Sequence, residues 1–226
     1  MTDKILRVAA LSLLLAVAGT AAHAEEEKDR ASLAPDELIQ YTARKAMDEL
    51  EERRAEFEED TEALYKAIDR ILLPVFDIQR SGDLVLGRHA REASADQRRR
   101  FARALYESLV RQYADNAIGF SPDRLVVRPL RGDPDPRATR VETEVNLDDG
   151  TNITINYVLR ETDDGWKVFD VIAEGISYVR NFRSQYDSEI RRRGLDEVIA
   201  RLERAIERGE VDDVVPDVTD GEGDAG

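Results

Sequence analysis

Few residues of this chain are equipped for acid–base or covalent chemistry. It has two histidines and no cysteine. His23 lies in an apolar N-terminal leader, which leaves His89, set between Arg88 and Arg91 in a stretch that reads as a loop. An imidazole works as a general acid or base only beside a positioned partner. None is evident in the neighbouring sequence, so His89 reads as a solvated loop histidine. A metal centre of histidines and cysteines is excluded by count. Gly175-Ile176-Ser177 begins like a nucleophile elbow, but Val179 stands where the second glycine of G-x-S-x-G belongs, and no candidate base is near. Asp170 and Glu174 could form a carboxylate pair. Strict alternation along their strand places Asp170 on the face of Trp166 and Val168, where burial would raise its pKa and make it an acid. The plainer reading is that both carboxylates satisfy backbone or arginine groups where strand becomes helix. Arg98-Arg99-Arg100 and Arg191-Arg192-Arg193 read as solvated helix faces, the second favoured near a helix C-terminus. No glycine-rich phosphate cradle and no basic stripe with stacking aromatics is present. These residues assign no catalytic group, no metal and no cofactor.

The ends of the chain carry other information. Lys4 and Arg7 precede an apolar run over residues 8–18, and Ala22-His23-Ala24 has the small-residue pattern of a cleavage site. Residues 1–24 therefore read as a bacterial signal peptide, its apolar run too short to span a bilayer. The mature protein is expected to be exported to the periplasm, without disulfides to hold it together. The net charge is −15 at pH 7, and cleavage would remove Asp3, Lys4 and Arg7, making it one unit more negative. Such a chain is repelled by nucleic acid and by anionic membrane surfaces. Near lipid it would dock on a protein rather than adsorb to the bilayer. Residues 209–226 are acidic and glycine-rich, without a basic residue, and read as a disordered tail.

Between the ends, the pattern changes period once. Residues 35–59 read as one highly charged helix with a thin stripe of Leu38, Ile39, Thr42, Met47 and Leu50, lying on the surface. Residues 25–59 form a charged N-terminal region. Leu64, Ala67, Ile68, Ile71, Leu72 and Val75 then recur at helical spacing until Pro74 interrupts. A short helix over 77–86 is expected to end at Gly87 in the left-handed conformation. Ser94-Ala95-Asp96-Gln97 is a capping box opening a helix to about residue 117, with Phe101, Leu105, Leu109 and Tyr113 on one face. About four antiparallel strands follow as a meander. They cover residues 125–130, 139–147, a run containing Ile153, Ile155, Tyr157 and Leu159, and 166–172, with turns at Asp148-Asp149-Gly150 and Thr162-Asp163-Asp164-Gly165. Helices over 175–193 and 195–207 close the chain. The fold class is α+β, a sheet packed by several helices around an apolar interior.

The ordered motifs resemble one family. Leu73-Pro74-Val75-Phe76-Asp77, Leu86-Gly87, Ser94-Ala95-Asp96-Gln97-Arg98 with Phe101, and Gln112-Tyr113-Ala114 come first. A longer set runs from Trp166 through Glu174-Gly175-Ile176-Ser177 and Asn181-Phe182-Arg183-Ser184-Gln185-Tyr186 to Arg193-Gly194-Leu195-Asp196. Residues 72–202 thus resemble the MlaC or toluene-tolerance auxiliary family, periplasmic phospholipid carriers of the Mla pathway. His89-Ala90 departs from it where the family often has an aromatic. The charged helix before residue 60 and the acidic tail lie outside the resemblance. The resemblance implies an NTF2-like fold, with lipid tails between sheet and helices and the headgroup near the mouth. It also implies shuttling between an outer-membrane lipoprotein complex and an inner-membrane ABC transporter, in support of outer-membrane lipid asymmetry.

On that reading residues 60–208 are the lipid-binding domain, and its pocket is expected to be lined by Leu72, Val75, Phe76, Leu105, Leu109, Val145, Ile153, Ile155, Tyr157, Val168, Ile172, Ile176 and Val179. A carrier breaks no bond, so the missing catalytic set is expected. Two other classes stay open. One is an enzyme on the same cone-shaped fold using Asp170 as base toward an apolar substrate. The other is a periplasmic interaction protein with a filled core.

Overall fold

The computed structural model describes residues 30–117, 125–146, 150 and 152–211. The proposed signal peptide, Leu147, the Asp148-Asp149 turn and the tail from residue 212 lie outside them. In chain order the elements are α1 (Pro35–Glu52), α2 (Arg54–Glu59), α3 (Thr61–Leu72), α4 (Ile78–Leu86), a 3₁₀ turn (Gly87–Arg91), α5 (Ala95–Ala117), β1 (Leu125–Val127), β2 (Thr139–Asn146), β3 (Asn152–Thr162), β4 (Gly165–Ala173), β5 (Ile176–Ser177), α6 (Tyr178–Arg193) and α7 (Leu195–Arg208). The strands form one antiparallel sheet in sequential order β1-β2-β3-β4-β5. The α+β meander is as expected, with a fifth, two-residue strand where the start of a helix was anticipated.

Local chemistry explains most boundaries. Asp60 caps α3 by accepting from the Ala63 N–H at 3.1 Å. The capping box of α5 is formed, with Gln97 N–H on Ser94 Oγ at 3.1 Å and Ser94 N–H on Gln97 Oε1 at 2.9 Å. Gly87 has φ 55° but ψ −117°, so it is not the left-handed cap expected; the chain continues into the 3₁₀ turn. Glu174 and Gly175 both have positive φ, 48° and 84°. That pairing makes the two-residue hairpin turn whose twist suits adjoining strands, and it sets Ala173 opposite Ile176.

The N-terminal helices correct two expectations. The helix over 35–59 breaks at Arg53, which has φ −115° and ψ 18°. It is also no mere surface helix. Leu38 and Ile39 pack on the sheet with Val75, Val141, Leu159 and Val168, and Phe57 is buried with Leu50, Leu64, Ala67 and Ala114. A third core joins α4, α5, α6 and α7, centred on Phe101, Phe182, Tyr186, Ile199 and Leu202. Within it Phe101 and Tyr186 meet edge to face, centroids 5.3 Å apart.

The sheet contains the decisive irregularity. On β2, Val141, Thr143 and Val145 face inward, with Arg140, Glu142 and Glu144 on the other side. Across β3, Val145 pairs with Ile153, Thr143 with Ile155 and Val141 with Tyr157. On β4, however, Leu159 pairs with Val168 while Val158 pairs with Asp170. Phe169 is the extra residue of a β-bulge, and a bulge inverts the alternation beyond it. Val171 therefore shares the face of Val168. Asp170 and Ile172 turn to the opposite face, which corrects the expectation that Asp170 lies beside Trp166 and Val168. Next to the bulge, the segment after Pro74 docks on the edge of β4. Val168 N–H donates to Val75 C=O, and Asp77 N–H donates to Val168 C=O, both at 2.8 Å.

Candidate functional site

A cavity of about 360 Å³ lies between the helices and the bulged half of β4. Its size is at the lower end of small-molecule sites. Three helices supply one side: Ala46, Met47 and Leu50 of α1, Phe57 of α2, and Leu64, Ala67, Ile68, Ile71 and Leu72 of α3. Phe76 closes the corner. Ile78, Gly82 and Val85 of α4 face Ala102, Leu105, Leu109, Val110 and Tyr113 of α5. Tyr178, Val179 and Phe182 of α6 and Phe169 and Val171 of β4 complete the wall.

Gly82 is where α4 and α5 come closest. A Cβ there would stand 2.6 Å from Ala102 Cβ, inside any real contact distance. The absence of a side chain thus sets the spacing of two cavity walls.

Most polar groups in the wall already have partners. Glu49 is bound by Arg53 and Arg70. Ser81 Oγ–H donates to Phe169 C=O at 2.8 Å. Asp170 accepts from Ser177 Oγ–H at 2.6 Å and from Val179 N–H at 3.0 Å, while Ser177 Oγ accepts from Arg180 N–H at 3.1 Å. Both residues are thereby caps of α6. That is the plainer of the two readings of Asp170, and it also accounts for the Gly-x-Ser sequence. The exception is Tyr106. Its Oη is buried and makes no hydrogen bond of good geometry, although the Asp69 carboxylate is near. Burial pushes its phenol well above the ordinary range, and the charge of nearby Asp69 adds to this. The arrangement can enclose an apolar body.

Of the thirteen expected lining residues, Leu72, Phe76, Leu105, Leu109 and Val179 line the cavity. Val75 and Val168 are spent in the core beneath α1. Val145, Ile153, Ile155 and Tyr157 are on the predicted face but not at the cavity, and Tyr157 packs instead against the core that holds Leu38 and Ile39 of α1. Ile176 packs on the helical core. Ile172 faces the other way, because of the bulge. Alternation could not have found Phe169 and Val171. Their one sequence signal is the broken pattern Val168-Phe169-Asp170-Val171-Ile172, two apolar pairs flanking a carboxylate. Apart from Leu72, the stripe of α3 was legible as apolar but not as cavity wall.

His89 and the first arginine run are placed differently from expectation, whereas Arg191-Arg192-Arg193 form the exposed last turn of α6 as read. His89 is not a solvated loop residue: it sits in the 3₁₀ turn, with Nε2 2.8 Å from Asp187 Oδ1. The hydrogen bond from His89, then that from Arg88, holds the Asp187 carboxyl below its usual range. Arg98 reaches Asp83 of α4, and Arg100 grips Glu203 of α7 through both Nε at 2.9 Å and Nη2 at 2.7 Å. The first run therefore ties α5 to both neighbours. Among the described residues no cluster of acidic, histidine or cysteine groups could hold a metal ion, and no helix is long and apolar enough to cross a membrane.

Comparison with known proteins gives a consistent result. A family model described as "MlaC protein" matches residues 40–204. The chain is 28% identical over 167 residues to toluene tolerance protein ttg2D of Pseudomonas putida, covering 74% of this chain and 77% of that protein. It is 21% identical over 178 residues to the intermembrane phospholipid transport system binding protein MlaC of Haemophilus influenzae, covering 77% and 83%. A phospholipid-binding protein from Ralstonia solanacearum, solved in complex with a phospholipid, shares the fold with a TM-score of 0.67 at 18% identity, over 76% of this chain and 96% of that one. The family match begins at residue 40, so it takes in most of α1, all of α2 and the start of α3, which the motifs had left outside the resemblance.

Proposed function

This chain belongs to the MlaC family, and on that premise we propose that it is a periplasmic phospholipid carrier. In this reading residues 1–24 direct export, and the chain shuttles lipid between an outer-membrane lipoprotein complex and an inner-membrane ABC transporter, maintaining outer-membrane lipid asymmetry. The observation that carries the reading is the apolar cavity, whose wall polar groups are nearly all engaged within the protein. Each buried CH₂ is worth about 0.8 kcal/mol, so a free diacyl lipid is very costly in water and an enclosed apolar wall offsets that cost. No covalent step is required, and Asp170 serves α6 rather than a substrate.

A cavity of about 360 Å³ must widen to admit acyl chains. The break at Arg53 divides the wall that α1 and α2 supply, so these helices are where it would yield. Release follows when a docking partner favours the lipid-free shape.

Native mass spectrometry with lipid extraction, on protein purified from the periplasm, tests this. Unmodified phospholipid should be released from the wild type. Leu109→Arg and Phe169→Arg place a charge in the cavity and should remove most of the lipid. Ile155→Arg, on the same sheet face but away from the cavity, should keep it. Folded Leu109→Arg and Phe169→Arg proteins with wild-type lipid content would sink the reading.

A further inference from the structure

The bulge that turns Asp170 and Ile172 outward also builds a second hollow, on the far side of β4, of about 360 Å³. Arg140 of β2 and Arg180 of α6 both line it, with Asn156 and Val158 of β3 and Ile172 of β4. Neither guanidinium makes an ion pair or hydrogen bond through its side chain among the described residues, whereas Arg98, Arg100, Arg128 and Arg160 each hold a carboxylate. The Asn156 side chain is equally unengaged, and its Oδ1 is buried without a partner. Buried polar atoms left in that state are rare in folded proteins. The acidic group at the rim, Asp170, already accepts from Ser177 Oγ–H and Val179 N–H. Glu142 shares the sheet face but does not line the hollow.

We propose that this hollow binds a phosphate ester, its phosphate held by the guanidinium forks of Arg140 and Arg180 and a hydroxyl of the ligand donating to the buried Asn156 Oδ1. Two planar forks suit an anion with several oxygens around one centre, and charge-assisted bonds of this kind are the strong ones. Val158 and Ile172 give the hollow an apolar floor, which suits a phosphate ester better than a bare ion. The ester has two possible sources. One is a free phosphorylated small molecule. The other is the headgroup of a carried lipid, since Asp170 borders both this hollow and the apolar cavity; this second source rests on the carrier reading above.

The test uses the full secreted chain, the double variant Arg140→Gln/Arg180→Gln, and the charge-matched control Arg131→Gln/Arg137→Gln in the loop before β2. Each is titrated calorimetrically with inorganic phosphate and glycerol 3-phosphate, before and after delipidation, and the ³¹P resonance of any co-purified lipid is recorded. The wild type and the control should bind glycerol 3-phosphate, and the double variant should bind it at least about tenfold more weakly, one lost charge-assisted bond sufficing for that. Binding that is indifferent to delipidation identifies a free phosphorylated molecule. Binding seen only after delipidation, with a ³¹P shift that changes in the double variant alone, identifies the headgroup. The proposal is overturned if neither readout separates the double variant from the wild type, or if the control loses as much. A wild type that carries no lipid defeats the carrier reading, and the soluble titrations still decide the phosphate site.

Discussion

Asp170 illustrates how a residue's role follows from where its oxygens point. One carboxylate spans the last residue of the sheet and the first turn of α6, accepting from Ser177 Oγ–H and Val179 N–H. Replacing it strands a helix-start N–H and a buried hydroxyl. Asp170→Ala should therefore lower stability by about 1–2 kcal/mol in urea unfolding, the scale of a lost N-cap. The lipid still bound per folded molecule should not change. A stable Asp170→Ala protein with a lost catalytic turnover would instead favour an enzyme. The capping role was half legible, since Ser and Asp beside a turn suggest a cap. Its geometry was not, because the bulge that aims Asp170 away from Val168 depends on the pairing partner across the sheet. His89 is a parallel case: its partner Asp187 lies 98 residues away in the chain, and nothing in its own neighbourhood announces it.

Among the elements, the capping box of α5 and the apolar stripes of α3 and α5 were readable, because each rests on contacts within four residues. The contact between α4 and α5 was not. Gly82 reads as a helix-weakening residue in sequence, yet it lets Ala102 approach where a Cβ would stand at 2.6 Å. Gly82→Ala should drive the two helices apart and cost about 1–3 kcal/mol, the usual range for overpacking. It should do so even though alanine favours helix. Unchanged or raised stability would show that α4 moves freely against α5. The β4 bulge is the other element-scale decision. One inserted residue, Phe169, exchanges the faces of everything after it, so Val171 joins the cavity wall while Ile172 leaves it.

For the whole molecule, an apolar cavity links stability to its occupant. A ligand that binds only the folded state stabilises it by about 2.7 kcal/mol at a concentration one hundred times its Kd. Gentle delipidation should therefore lower the melting temperature, and added phospholipid should restore it. The Leu109→Arg variant should show no such shift. Equal melting of loaded and stripped wild type would mean that the cavity is not where lipid is held.

Local order in this chain was written in its local sequence. Helix periods, strand alternation, caps and turns depend on neighbours a few residues away, and so did the family motifs. The identity of the cavity wall did not. It is closed by α1 and α2 from one end of the chain and by a bulged strand and α6 from the other. Which apolar side chains fill the core and which border the cavity depends on contacts across long stretches of chain, and Leu38 on the sheet and Phe57 beside Leu64 are set in the same way. Hydrophobicity is a property each residue carries alone, whereas facing a cavity is a property of the packing around it.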